Sequence, residues 1–448
     1  MERDGKFADL LYANAEREGK KFQYETAVRL GKSALDIYII IENYPKALQT
    51  YLYLAETTDL MVHLDDSINY CKQALLYADK ISEPYAREMA GDFYMRLAYV
   101  YFKKADWEQS EYAYNKAIGI YKAIHDFKKK GLKNKYFSAL MMKGNMLRHS
   151  NRPDEALACY REIEEDDEFA SCRKEDPALY SCVLMNFGWA LHNAGQYRDA
   201  EMKLTDAEKL IEEDRSRIPL KDIAQLYYLR GVELFDAAEY EKAKEYCIKA
   251  LRDVKIVYGE NAVEICSALN QLGAIAQKQS DHESAIRLFK RSYEVRKNYY
   301  GEHNLFTSIS LRNYAKVLIR RGRKEDRAEA GAAFRKVRDI REELCSTDKG
   351  KGWLAQICLD LSDYSVVTGD YQQAEMYVFR AEELYKICGI ERDFATCCKQ
   401  RGVIFLSAGR RDEAMVEFTK AVAILEKYYK PGHPYIAEVR KYMEDSGS

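Results

Sequence analysis

Proline is scarce in this sequence, seven in 448 residues, so little in it breaks long helices. Paired cysteine spacing is missing: the eleven cysteines are scattered, none forms CxxC, and the adjacent Cys397-Cys398 falls in a helical stretch where neighbours point apart. The simplest reading is reduced, partly buried thiols in a cytoplasmic protein. Neither sign of charge is in excess, with 70 Lys and Arg against 72 Asp and Glu. No global field therefore favours nucleic acid or an anionic membrane. The longest aliphatic run is Ile39-Ile40-Ile41, far short of the roughly 18 residues of a membrane span. The first residues, MERDGKFADLL, lack the apolar stretch of a signal peptide. GxxxxGK[ST], GxSxG and HExxH are all absent, and the seven histidines are spread along the chain. The expectation is a chain without catalytic centre, metal or cofactor.

What is present is a repeat. Apolar residues recur at three- and four-residue intervals, which predicts an all-α chain. One helix returns as YETAVRLGKSAL from Tyr24, WEQSEYAYNKAI from Trp107, YRDAEMKLTDAE from Tyr197, YEKAKEYCIKAL from Tyr240 and YQQAEMYVFRAE from Tyr371. Its first small residues are Ala27, Ser67, Ser110, Ala156, Ala200, Ala243, Ala285, Ala330, Ala374 and Ala414, a mean spacing of 43. A larger residue follows four later, on the same helix face. Twelve residues before most of them stands another small residue on the preceding helix, such as Ala55, Ala98, Gly144, Gly188, Gly231, Gly273, Ser362 and Gly402. Ala315 matches if the eighth unit carries three extra residues near Arg323-Lys324-Glu325. The prolines fall at helix starts or ends, and Gly195, Gly322, Gly369 and Gly409 fall in the turn between the two helices.

This spacing of small residues, with an aromatic or Leu four before the first, resembles the tetratricopeptide repeat over roughly residues 7 to 430. A period of 43 exceeds the usual length of about 34 and also suits HEAT repeats, but those have no such fixed small positions. The junctions Tyr258-Gly259-Glu260-Asn261, Tyr300-Gly301-Glu302-His303 and Pro431-Gly432-His433-Pro434 are similar to those of kinesin-light-chain-type repeats. No heptad coiled coil for a heavy chain accompanies them. The implied fold is a right-handed superhelical solenoid of about ten helix pairs over 1–430, with a C-terminal capping helix and tail over 431–448. In the cap, Tyr435, Ile436, Val439 and Tyr442 share one stripe.

The resemblance also implies a function. The first helix of each pair would line a concave groove that holds an extended peptide of a protein partner. By resemblance, Asn186, Gln271 and Asn313 are candidate clamps on peptide backbone, since an amide both donates and accepts. They read equally well as polar residues of a wet surface. Asn270, Arg312, Lys278, Lys316, Arg320 and Lys399 share their predicted face, after an apolar stretch that includes Trp189 and Tyr228. An acidic partner segment with apolar anchors would suit that arrangement, although many such aromatics pack between helices. The lysines Lys128-Lys129-Lys130, Lys133 and Lys135 and the acids Glu164 to Glu168 read as solvated loops, and no nucleic acid is expected. Phe7, Leu10, Leu11 and Ala15 open the first helix without a polar cap, so this end is a candidate for self-association. The function expected is a scaffold or adaptor. Its alternatives are a peptide-sensing regulator of the bacterial type and a sensor partner of a separate effector enzyme.

Overall fold

A computed structural model describes residues 2–21, 23–78, 84–125, 132–150, 152–344, 351–388, 391–428, 432 and 434–447. Lys128 to Lys130, Pro431 and His433 lie outside them. Ten helix pairs run through the described residues. The first helix of each, called A, is α1 (Glu2–Lys20), α3 (Tyr44–Leu60), α5 (Pro84–Lys103), α7 (Leu132–His149), α10 (Pro177–Asn193), α12 (Leu220–Asp236), α14 (Ile265–Lys278), α16 (Leu305–Arg321), α18 (Lys351–Thr368) and α20 (Glu391–Ser407). The second, called B, is α2 (Tyr24–Ile40), α4 (Leu64–Ala78), α6 (Trp107–His125), α8 (Pro153–Glu164), α11 (Tyr197–Glu213), α13 (Tyr240–Tyr258), α15 (His282–Tyr300), α17 (Lys324–Leu344), α19 (Tyr371–Cys388) and α21 (Arg411–Tyr428). A short α9 (Phe169–Glu175) follows the fourth pair, and α22 (Pro434–Gly447) follows the last. The chain divides into two compact units, 1–175 and 176–448. No helix among the described residues is long and apolar enough to cross a membrane.

The small residues are where helices A and B approach most closely. A methyl added to Gly273 would meet the Phe289 ring at 2.8 Å, and one on Gly402 would meet Phe418 at 2.5 Å. Phe289 and Phe418 are the larger residues four after Ala285 and Ala414, so the B helix drops its bulky side chain onto the bare backbone of A. Where serine replaces a small residue, its hydroxyl goes to the facing backbone. Ser67 donates to Ala55 O at 2.8 Å, Ser110 to Ala98 O at 2.8 Å and Ser362 to Ala374 O at 3.0 Å. Each pair is 12 apart in sequence, so this contact is local. A buried hydroxyl so satisfied keeps the close approach without a desolvation cost.

The A-to-B turn is equally regular. A left-handed residue ends helix A, and it need not be glycine: Val62, Ala105, Ala238 and Ser280 take positive φ as Gly195, Gly369 and Gly409 do. The recurring hydrogen bonds explain this, as in Ala238 N to Phe235 O and Glu239 N to Leu234 O. The three extra residues of the eighth unit do not lengthen this turn. They add a turn of helix to the start of α17, where Asp326 is held by Arg321 at 2.7 Å.

Two buried arginines staple B helices to the next A helix. Arg296 Nη1 donates to Phe306 O at 3.0 Å, and Arg341 Nη1 to Trp353 O at 2.6 Å. In unit 2, α22 buries Ile436 and Val439 in a cluster with Phe418 and Leu425, and Tyr442 stacks on Phe418 at 5.6 Å. Tyr435 stays exposed. The thiols are mostly buried, and burial pushes Cys71 and Cys247 up to about 12 and Cys358 and Cys398 up to about 11.

Candidate functional site

In unit 2 successive A helices touch, α10 with α12, then α14, α16, α18, α20 and α22 in turn, whereas no successive B helices are among the close pairs. The A helices therefore line the inner side of this stack. Their inner face is joined by polar links about one repeat apart in sequence. On α10, Asn186 donates to its own helix at Cys182 O (2.8 Å) and accepts from Gln225 of α12 at 3.1 Å. His192 Nε2 lies 3.0 Å from Asp236 on α12. Arg312 of α16 grips Asp360 of α18 with both Nε and Nη2, and Lys316 Nζ lies 3.3 Å from the same carboxylate. Gln400 of α20 donates to Asp363 of α18, and Lys399 reaches Glu438 of α22 at 3.0 Å.

Asp360 is 3% exposed. Burial alone would raise its carboxyl, but Arg312 and Lys316 outweigh that and hold it below the ordinary aspartate range. The charge of Arg312 and Lys316 is thus answered within the protein. The basic stretch expected on this face is reduced to Lys278 and Arg320, both exposed. Trp189 and Tyr228 also turn inward on each other: their rings meet edge-on at 5.7 Å over the cluster of Leu184, Met185 and Leu226. They join α10 to α12.

The α14–α16 step is different. Asn270 Nδ2 reaches Ser310 Oγ at 3.4 Å, but its Oδ1 is shielded from solvent without a partner. Gln271 Nε2 is likewise shielded and unpartnered. Asn313, half-buried on α16, is joined to no side chain among the described residues. Ser310 cannot serve more of them, because Ser292 at 2.8 Å and Arg296 at 3.1 Å already hold its hydroxyl. Adjacent residues thus present one unmatched donor and one unmatched acceptor. A buried polar atom left unpaired costs about 1–3 kcal/mol. A peptide group carries the complementary pair, C=O for Gln271 and N–H for Asn270.

The candidate residues therefore separate. Asn186, Trp189, Tyr228, Arg312 and Lys316 hold A helices together, while Asn270, Gln271, Asn313, Lys278 and Arg320 keep capacity. Asp360, Gln225 and Gln400 were not among the sequence candidates. The signal was present: the second residue before the small residue of helix A is polar in Asn186, Gln271, Asn313, Asp360 and Gln400. The lysines Lys133 and Lys135 are engaged too, with Glu168 and with Glu88 and Asp92.

A tetratricopeptide-repeat family model matches residues 222–298 and 264–343. Among solved structures, a Rap protein complexed with competence and sporulation factor is similar at 12% identity, with 80% of this chain and 98% of that one covered and a TM-score of 0.54. A monomeric variant of IFIT1 with m7Gppp-AAAA is similar at 13% identity, over 98% of this chain and 90% of that one, with a TM-score of 0.51. BtubC (BKLC) from P. vanneervenii shares 19% identity over 53% of this chain and 92% of that one, with a TM-score of 0.42. The comparison with curated proteins finds no match. At these identities the structural likeness concerns the fold alone. The repeat register, the stacked helix pairs and the family match over residues 222–343 agree on tetratricopeptide repeats.

Proposed function

We propose that the chain is a non-catalytic protein-interaction scaffold that holds an extended segment of a partner against α14 and α16. The unmatched Gln271 donor beside the unmatched Asn270 acceptor carries this reading. Asn313 extends the polar strip to the next A helix. Lys278 and Arg320 supply the positive charge for an acidic side chain of the ligand, in place of the longer basic stretch. Part of the same reading are a solenoid continuous over 1–430 with a cap over 431–448, and the long-helix, kinesin-light-chain-like subtype. The period of 43 and the positive φ of Gly259 and Gly301 support that subtype. A cytoplasmic setting accords with the buried, protonated thiols. Phe7 and Leu10, exposed on α1, support self-association through that end; a monomer in sedimentation at micromolar concentration would remove that part.

The test is a linear-peptide display selection on the full chain, followed by titration of the selected peptide. Replacing Gln271 and Asn313 with alanine removes two backbone contacts and weakens binding by about tenfold or more. Unchanged affinity in that double variant would sink the clamp.

A further inference from the structure

Tyr197 opens α11 in a place that other repeats also fill with an aromatic. There it does what Trp107 does with Phe102 and Tyr240 with Phe235: it packs its ring against the end of its own A helix, here edge-on to His192 at 5.1 Å. His192 Nε2 in turn lies 3.0 Å from Asp236. Tyr197 has a further set of neighbours. It packs against the C-terminal cluster built from Ala395, Phe405, Phe418, Leu425, Ile436 and Val439 on α20, α21 and α22. Beside it lies a cleft of about 1040 Å³. Arg198, Arg230, Asp236 and Lys242 of the fifth and sixth pairs line one part of that cleft, and Gly432, between α21 and α22, lines another.

The two observations agree. Six stacked pairs run from α10 to α21 before α22, yet the first B helix of unit 2 meets its last elements. A stack whose ends meet has curved back on itself. Because its A helices lie on the inner side, the closed stack encircles the strip of Gln271, Asn270 and Asn313. We propose that unit 2 is a ring closed at a seam by Tyr197, and that the ring admits a peptide by its free end rather than as a loop of a folded partner. The second half of this inference rests on the peptide reading given above; the first half does not.

The seam is also the weakest closure in the ring. Within pairs, bulky side chains of B pack directly on the small residues of A, as Phe289 does at Gly273 and Phe418 at Gly402. At the seam one aromatic side chain makes the contact and an open, charged cleft lies next to it. The charges in the cleft are largely neutralised locally, Arg230 by Glu208 and Glu233 at 2.7 Å each and Lys242 by Glu239 at 2.6 Å. Among the described residues Tyr197 is the side chain that joins the two sides, so the ring opens there without unstacking its pairs.

The closure is tested on the protein alone. A photo-crosslinking benzoyl-phenylalanine is placed at Tyr197 and, as control, at Tyr240, and the products are mapped by mass spectrometry on mixed light and heavy chains. Crosslinks from 197 to peptides of 391–447 within one chain are expected, and none from 240. Crosslinks from 197 only to α10–α13, or only between chains, overturn the ring. The entry rule is tested with a peptide selected with a free end. Grafted as a loop into a folded carrier, it should bind wild type at least about tenfold more weakly, and Tyr197→Glu, which opens the seam, should recover most of that loss. Equal binding of free and grafted peptide to wild type overturns the entry rule while leaving the peptide reading intact. Failure to select any peptide overturns both, and the crosslink result stands apart from either.

Discussion

Asn186 and Gln271 occupy the same place in their repeats, two residues before the small residue of helix A, and they meet opposite fates. Asn186 finds Gln225 on the next A helix and becomes part of the joint between α10 and α12. Gln271 finds nothing, because Ser310, which takes Asn270, is already held by Ser292 and Arg296. What the next helix offers, and what the B helix beneath has already claimed, decides whether a polar residue is mortar or a free hand. In unit 1 the joints α3–α5 and α5–α7 go further toward mortar: buried Asp59 takes Lys103 at 2.7 Å and Arg96 at 3.3 Å, and Lys135 takes Asp92 at 2.7 Å. Among these joints, α14–α16 is left with capacity for a ligand.

The strongest way to break that contrast is at the α16–α18 joint. Asp360→Ala leaves Arg312 and Lys316 without their counter-charge, and breaking a buried pair from one side costs about 3–5 kcal/mol. Amide exchange in α16 and α18 should accelerate by at least about a hundredfold, given that repeats open locally. An effect confined to α18 would mean that the joint does not couple the helices.

The same carboxylate gives a pH signature. The Asp360 carboxyl is held below its ordinary value of 3.8 in the folded chain. Its contribution is therefore fully present above about pH 3.8 and fades as the pH falls through the lower folded value. The difference in urea midpoint between wild type and Asp360→Asn should be constant from neutral pH down to about 4 and shrink below it. A difference that shrinks already between pH 7 and 5 would contradict the ionised, paired state.

Asn186→Ala removes one partner of a buried hydrogen bond and strands the Gln225 amide, at a cost of about 1–2 kcal/mol. Faster exchange in α10 and α12 would show it. Gln271→Ala is the smallest change and the sharpest contrast. It deletes an unmatched buried donor, and the relief of that desolvation cost offsets the lost packing of the side chain, so stability should shift by less than about 0.5 kcal/mol, in either direction, while binding of the selected peptide weakens. A Gln271→Ala loss as large as that of Asn186→Ala would mean that both amides are structural.

The candidate site was only half legible along the chain. The repeat register assigns Asn186, Gln271 and Asn313 to equivalent places in their repeats, because a fixed period places equivalent residues alike. It could not tell tied from untied amides, since that depends on the residue opposite. Arg312 and Lys316 read as a basic surface because Asp360, 48 residues after Arg312, carries no local mark of facing it. Trp189 and Tyr228 read as candidates for the groove or for packing between helices, and only the facing helix decides for packing.

By itself the sequence determined the helix pairs, their small-residue contacts 12 apart and the turns between A and B. These rest on backbone geometry and on neighbours within one pair, so they can be read from spacing alone. Tertiary structure alone decided which polar residues of the inner face are matched and that Tyr197 meets the C-terminal helices. Both follow from the small rotation between successive pairs, which packing of whole helix faces sets and which accumulates from pair to pair.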